Sequence, residues 1–258
     1  MKIYILTDIE GTCGVARWEQ GDRNSASYPQ AVRLMTEELR ACVAGIQSVA
    51  SSAEIWIWDA HGCGSIDFER LPRGCQLINT GAIPAGLYFN RGWDALFFLC
   101  QHPKAGTRNG NLAHTYSSGN FEYFKINGIE LGEFGCRAAL AGSYGIPTVF
   151  VSGDDTMMAE ARSLIPGIYG AQVKMGLGPQ LALHLAPEDA RDLIRDTAAK
   201  ATANYVTVSP LRIPGPPYEQ EISIWAQTDY AMLTSRGFEQ IEARRFIKRA
   251  DRLDELWI

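Results

Sequence analysis

Short apolar runs alternate with amphipathic stretches along this chain. Residues 2–8 (KIYILTD) are an apolar run closed by an acid, which predicts a strand. Residues 54–60 and 95–101 are further apolar runs, rich in Ile and Trp and in Phe and Leu. Continuous runs of this kind suit strands covered on both faces of a parallel sheet. Shorter strands are expected at 75–79 and 147–152. Helical spacing of apolar residues appears at 29–50, at 131–144 and from Thr156 onward. FEYFKIN (121–127), followed by the Asn127-Gly128 turn, reads as a hairpin element.

Two segments lack periodicity. Residues 62–67 are glycine-rich, and residues 103–120 form a long polar loop of the sort that often carries function. After Pro166 the character changes. A glycine-rich stretch, 167–178, reads as turns. It is followed by a helix at 186–203, a proline-rich link at 209–217 and the strand-like EISIWA. The expected fold is α/β: a three-layer αβα arrangement with a mainly parallel sheet, plus a smaller C-terminal α+β lobe. The expected division is a metal-binding catalytic domain over residues 1–168 and a smaller domain over 169–258.

The predicted strands draw attention to their ends. KIYILTD ends on Asp8, with Glu10 two residues later; EIWIWDAH ends on His61; ALFFLCQH ends on His102. Functional groups of an open parallel sheet gather at the carboxyl ends of its strands, so these residues should meet at one edge. Asp8 and Glu10 point to the same side if the backbone is extended. Paired carboxylates are tolerated when a cation lies between them; otherwise Asp8 caps a loop and Glu10 is solvated. A lone strand-end histidine is more often structural than a ligand. Two at equivalent positions, in a chain with four histidines, favour metal. Histidine and carboxylate donors without thiolates suit Zn²⁺ or Mn²⁺.

Other residues admit two readings each. Asp59 either orients an imidazole or is a polar strand end. His114, in the long loop, is a ligand, an acid/base group or a stabilising group beside the metal. Glu133 opens a helix, where an acid is ordinarily favoured by the helix dipole. His184 reads as partly buried and structural. Asp154 and Asp155 read as caps of the next helix. Cys13 and Cys63 flank the candidate ligands, as ligand or nucleophile, with no basic partner nearby in sequence.

Bulk properties narrow the function class. The 258 residues are 46% hydrophobic and 21% charged, ordinary for a soluble globular protein. A net charge of −5 argues against a general nucleic-acid binder. No apolar run is long enough to span a membrane, and the N-terminus reads as a core strand rather than a signal peptide. Six cysteines without a CxxC pair suggest reduced thiols and a cytoplasmic location.

Six segments occur in order: TDIEGTCGV, WDAHG, FLCQHPKAG, NLAHTYSSGNF, LGEFGCRAALAGSYGIP and VSGDD. Together they resemble the M55 family of zinc-dependent D-aminopeptidases, the dipeptide transport protein-like metallopeptidases. The resemblance covers most of the first 175 residues and is looser beyond. It implies two zinc ions per subunit, held by Asp8, Glu10, His61, His102 and Glu133, with Asp8 as the bridge and His114 as the catalytic histidine. It also implies a homodecamer whose chamber admits short peptides, and cleavage of the N-terminal residue. Stereochemical preference depends on the pocket, and WEQGDRN (18–24) departs from the family pattern there. Two other readings fit the residues: a di-metal hydrolase of a non-peptide amide or a phosphoester, and a non-catalytic peptide-binding protein in dipeptide uptake. The absence of a GxxxxGK[ST] phosphate cradle disfavours nucleotides.

Overall fold

Two sheets of unequal size organise the chain, and the larger one positions every candidate ligand that follows a strand. The computed structural model describes residues 1–62, 64–79, 83–226 and 228–258. The first half contains β1 (Lys2–Thr7), α1 (Tyr28–Val49), β2 (Glu54–Asp59), β3 (Cys75–Ile78), β4 (Ala95–Gln101), β5 (Phe121–Ile126) and β6 (Ile129–Glu130). Then come α2 (Glu133–Ser143), β7 (Thr148–Asp154), α3 (Asp155–Leu164), β8 (Tyr169–Gly178), β9 (Leu181–His184) and α4 (Pro187–Ala203). The chain closes with β10 (Tyr218–Ile224), α5 (Ala231–Ser235), β11 (Glu239–Glu242) and β12 (Arg245–Ala250).

The large sheet has the order β3-β2-β1-β4-β7-β8-β9, parallel except for β9. Its central strand β4 is buried at all seven positions, which explains its unbroken apolar run. Helices α1 and α4 pack on each other and against this sheet, and α2 and α3 pack on each other and against β4, β7 and β8. α1 turns Ala31, Met35, Leu39, Cys42, Val43 and Ile46 into the core, the i, i+3/i+4 spacing of an amphipathic helix. The strand order reverses between β1 and β4: the chain winds outward through β2 and β3 on one side and through β7 and β8 on the other. Ligands of open α/β sheets bind at such a switch point, beyond the strand carboxyl ends.

The small antiparallel sheet has the order β11-β12-β10-β5-β6. Its separate core holds Phe121, Phe124, Ile222, Leu233, Phe238 and Phe246, with Tyr116 and Trp257 packed against it. The β5–β6 hairpin thus joins strands from the end of the chain. Residues 169–184 complete the large sheet instead of forming turns, and the expected boundary at 168/169 falls between two elements of the large layer, α3 and β8. The glycines that obscure β8 in the sequence have a steric reason. A Cβ on Gly176 would lie 2.2 Å from the backbone oxygen of Asn109, so the strand passes against the 103–120 loop at a distance only glycine allows.

Candidate metal centre

The loop leaving β1 is stitched onto β4. The Asp8 N–H donates to the Leu99 carbonyl at 2.9 Å and the Gly11 N–H to the Cys100 carbonyl at 2.7 Å. A Cβ on Gly11 would lie 2.2 Å from the Cys100 carbonyl carbon, so glycine is required for this approach. Beneath it, β4 is irregular. Its register with β7 shifts between Phe98 and Gln101, and Cys100 has φ +61°, a left-handed conformation uncommon for a non-glycine residue. Such irregularities cluster where a strand re-aims side chains at a site. Here Gln101 Nε2 donates to Asp8 Oδ2 at 3.2 Å, and His102 follows directly.

Three imidazoles share one design. His102 Nδ1 lies 3.0 Å from the Pro103 carbonyl, His114 Nδ1 lies 2.8 Å from the Leu112 carbonyl, and His61 Nε2 lies 2.9 Å from the Gly21 carbonyl. A carbonyl only accepts, so the proton sits on those nitrogens and the opposite nitrogen of each ring is left as a donor for a cation. Those opposite nitrogens face carboxylates. His61 Nδ1 is 3.3 Å from Asp8 Oδ1 and 3.1 Å from Glu10 Oε2. His102 Nε2 is 3.2 Å from Asp8 Oδ2 and 3.3 Å from Glu133 Oε1. His114 Nε2 is 3.8 Å from Glu133 Oε1.

The result is two adjacent clusters with metal-ligand chemistry, Asp8–Glu10–His61 and His102–His114–Glu133. Asp8 turns one oxygen to each. Glu133, at the start of α2, is held at both oxygens. Tyr116 N–H donates to Oε1 at 2.8 Å, and Arg137 Nη1, one helical turn on, is 3.2 Å from Oε2. Tyr116 is fixed in turn by the small sheet, its ring stacked on Trp257 at 5.8 Å and tilted against Phe124 at 5.1 Å.

Electrostatics supports a cation here. Asp8, Glu10 and Glu133 are all buried. Burial opposes ionisation of Asp8, yet the charge of the neighbouring His102 and the close approach of both His102 and His61 hold its pKa well below the usual carboxylate range. Burial likewise opposes a charged Glu133, but Arg137 and His102 bring it down to about 2. Burial pushes His102 down, and Asp8 and Glu133 more than reverse this, raising it well above the ordinary imidazole value. The carboxylates therefore demand a positive partner, which His102 supplies as an imidazolium unless a cation does. Glu10 Oε2 and His102 Nε2 are buried and form no hydrogen bond. Buried ligand atoms left without a hydrogen bond fit a bound divalent cation, and an all-N/O donor set fits zinc.

The six residues read from the sequence, Asp8, Glu10, His61, His102, His114 and Glu133, are thus brought together. Asp59 is placed differently: it accepts from the Ser65 N–H and hydroxyl at 2.7 and 2.6 Å and caps the loop after β2. Asp154 caps α3 by accepting from the Met157 N–H at 2.7 Å. Cys13 is buried, its thiol donating to the Leu185 carbonyl, and burial pushes its pKa up to about 11; that environment suits neither a nucleophile nor a ligand. Cys63 lies outside the described residues. His184 accepts at Nδ1 from the Gly14 N–H at 3.0 Å, a structural tie.

Three residues gave no local signal. Lys174, buried in β8, donates to the Glu10 and Val15 carbonyls at 2.5 and 2.7 Å and to Asn111 at 2.8 Å, pinning the ligand loop from across the sheet. Trp18 meets His114 edge-on at 5.3 Å. Arg137 reaches the site from the i+4 position after Glu133. Lys174 and Trp18 are tertiary placements, whereas Arg137 meets Glu133 within one helix. Trp18, His114, Tyr116, Ser117 and Arg137, with the carboxylates, line a cavity of about 370 Å³, within the range of small-ligand sites.

The M55 peptidase family model, described as D-aminopeptidase, matches residues 1–257. A D-aminopeptidase of Bacillus subtilis (strain 168) is 30% identical over 239 residues, covering 90% of this chain and 85% of the relative. The solved structure of the Zn-dependent D-aminopeptidase DppA from Bacillus subtilis, a self-compartmentalizing protease, superposes with a TM-score of 0.89 at 26% identity. That match covers 99% of this chain and 93% of the other.

Proposed function

This chain belongs to the M55 peptidase family, and on that premise we propose that it is a zinc-dependent aminopeptidase releasing the N-terminal residue of short peptides, D-residue peptides among them. The observation that carries the reading is Asp8, whose two oxygens face two separate ligand clusters. Asp8, Glu10 and His61 would hold one zinc ion, and Asp8, His102 and Glu133 the other. Bound zinc supplies a Lewis acid that acidifies water and polarises a carbonyl.

The protein's own groups do the rest. Glu10 and Glu133 set the charge of the site, and the carbonyls of Gly21 and Pro103 fix the ring orientation of His61 and His102. His114 stands at the cavity wall with its Nδ1 proton tied to Leu112 and Nε2 free to act. With Nδ1 protonated, Nε2 takes a proton from the attacking water and then passes it to the leaving amine. Its separation from Glu133 is the longest of the histidine–carboxylate distances in the site, which favours a catalytic role over ligation. Trp18 meets His114 edge-on and lines the same cavity.

A closed homo-oligomer is part of the same proposal. Met175, Leu177, Leu181 and Leu183 are exposed together on the β8–β9 hairpin, Met175 directly opposite Leu183. An apolar patch of this kind suits burial between copies, and the DppA relative is self-compartmentalizing. No helix among the described residues is long and apolar enough to cross a membrane.

The test pairs elemental analysis of the purified protein with hydrolysis of matched D- and L-aminoacyl peptides, before and after chelation. About two zinc per chain with chelator-sensitive release of the N-terminal residue is expected. Metal without peptide cleavage would transfer the reading to another amide. No metal after zinc is added back would sink the site assignment.

A further inference from the structure

Arg137 is a buried cation without a complete set of partners. It is 5% exposed. Its guanidinium lies 5.0 Å from the Trp58 ring centroid and 5.4 Å from that of Tyr116. Its Nε and Nη1 are buried and form no hydrogen bond. The nearest carboxylate is Glu133, at 3.2 Å from Nη1, and that geometry falls short of a hydrogen bond. Buried guanidinium donors left unpaired are costly, and the Arg137 side chain lines the cavity that holds the candidate ligands.

The charge balance sharpens the point. Glu133 has one negative charge to share between Arg137 at Oε2 and the ligand cluster at Oε1. When Oε1 serves a metal, Arg137 in its buried wall is only partly offset. A planar donor fork held between two aromatic rings suits a carboxylate. The anion it lacks is one that arrives with the substrate.

Resting on the aminopeptidase reading, we propose that Arg137 anchors the C-terminal carboxylate of the substrate and selects very short peptides, dipeptides first. Distance supports the length limit. Arg137 touches Glu133, a member of the ligand set, so a carboxylate bound to it sits about one residue, roughly 3.5 Å of extended chain, beyond the scissile bond. Peptides that continue past that point place a neutral amide against Arg137.

The experiment compares D-alanyl-D-alanine with its C-terminal amide, on zinc-loaded wild type, Arg137→Gln and Arg137→Lys, with metal content measured for each. Wild type is expected to favour the free acid at least tenfold in kcat/KM, the loss expected for one charge-assisted interaction. Arg137→Gln should bring the acid/amide ratio to within about threefold of unity, and Arg137→Lys should restore part of it. A wild type indifferent to the amide would overturn the proposal without any variant. So would Arg137→Gln keeping the wild-type ratio, even if both substrates slow or zinc is lost, because Arg137 would then act on Glu133 alone. Cleavage of neither peptide by zinc-loaded protein is a different result: it would reject the peptidase reading itself.

Discussion

His102 and His114 lie face to face, their ring centroids 3.8 Å apart and their planes 16° from parallel. They are twelve positions apart in sequence, yet both present Nε2 to Glu133. The stack means that only one of the two rings needs to bind metal for the other to be held beside it. His102, buried and also facing Asp8, is the ligand in our reading, and His114, at the cavity wall, is the reacting group.

His114→Ala should therefore leave the zinc content of the protein intact and lower kcat on a short peptide by roughly 10²–10⁴-fold, the usual worth of a positioned acid/base group. Elemental analysis and peptide kinetics on the same preparation check both halves. Near-wild-type turnover would remove His114 from the mechanism; loss of one zinc would make it a ligand.

Asp8→Asn should behave differently. Asparagine keeps the shape but removes the charge that both histidine clusters face. Zinc content and activity are expected to fall together. A variant that still binds two metals would show that Asp8 is not the bridge.

Three of the six site residues stand at the ends of apolar strands, which is why β1, β2 and β4 led directly to Asp8, His61 and His102. Strand β4 was the easiest to read because it is buried at every position. Glu133 was legible only through the family resemblance, since an acid in the first turn of a helix has an ordinary electrostatic reading. Strand β8 was hidden by glycines whose need is tertiary: Gly176 is set by the loop crossing it, and no local pattern shows that loop. Lys174 was hidden for the same reason: its acceptors, Glu10, Val15 and Asn111, lie far along the chain.

Gly11→Ala tests the seam between β1 and β4. The added methyl would meet the Cys100 carbonyl at 2.2–2.3 Å, contact with backbone that cannot rotate away. The loop carrying Glu10 must lift, breaking the Gly11–Cys100 hydrogen bond. The variant should lose zinc affinity and be destabilised by about 1–3 kcal/mol in denaturant titration. Unchanged zinc affinity would mean that the loop tolerates displacement and that Glu10 is not held by it.

Glu38 gives a pH prediction away from the site. It is buried on α1, where its Oε1 accepts the Cys13 N–H at 2.8 Å and its Oε2 accepts the Cys100 thiol at 3.2 Å. Burial raises its pKa from 4.5 to about 7, opposed by those two hydrogen bonds and by Lys174. Between those values the folded chain binds a proton that the unfolded chain has released. Stability must then fall as pH rises through that window, by roughly 3–4 kcal/mol at about 1.4 kcal/mol per pKa unit. Glu38→Gln keeps an oxygen for the Cys13 N–H and carries no charge. It should match wild type near pH 4 and exceed it in urea titrations at pH 8. Wild type and variant losing stability in parallel between pH 5 and 8 would show that Glu38 does not titrate in this window.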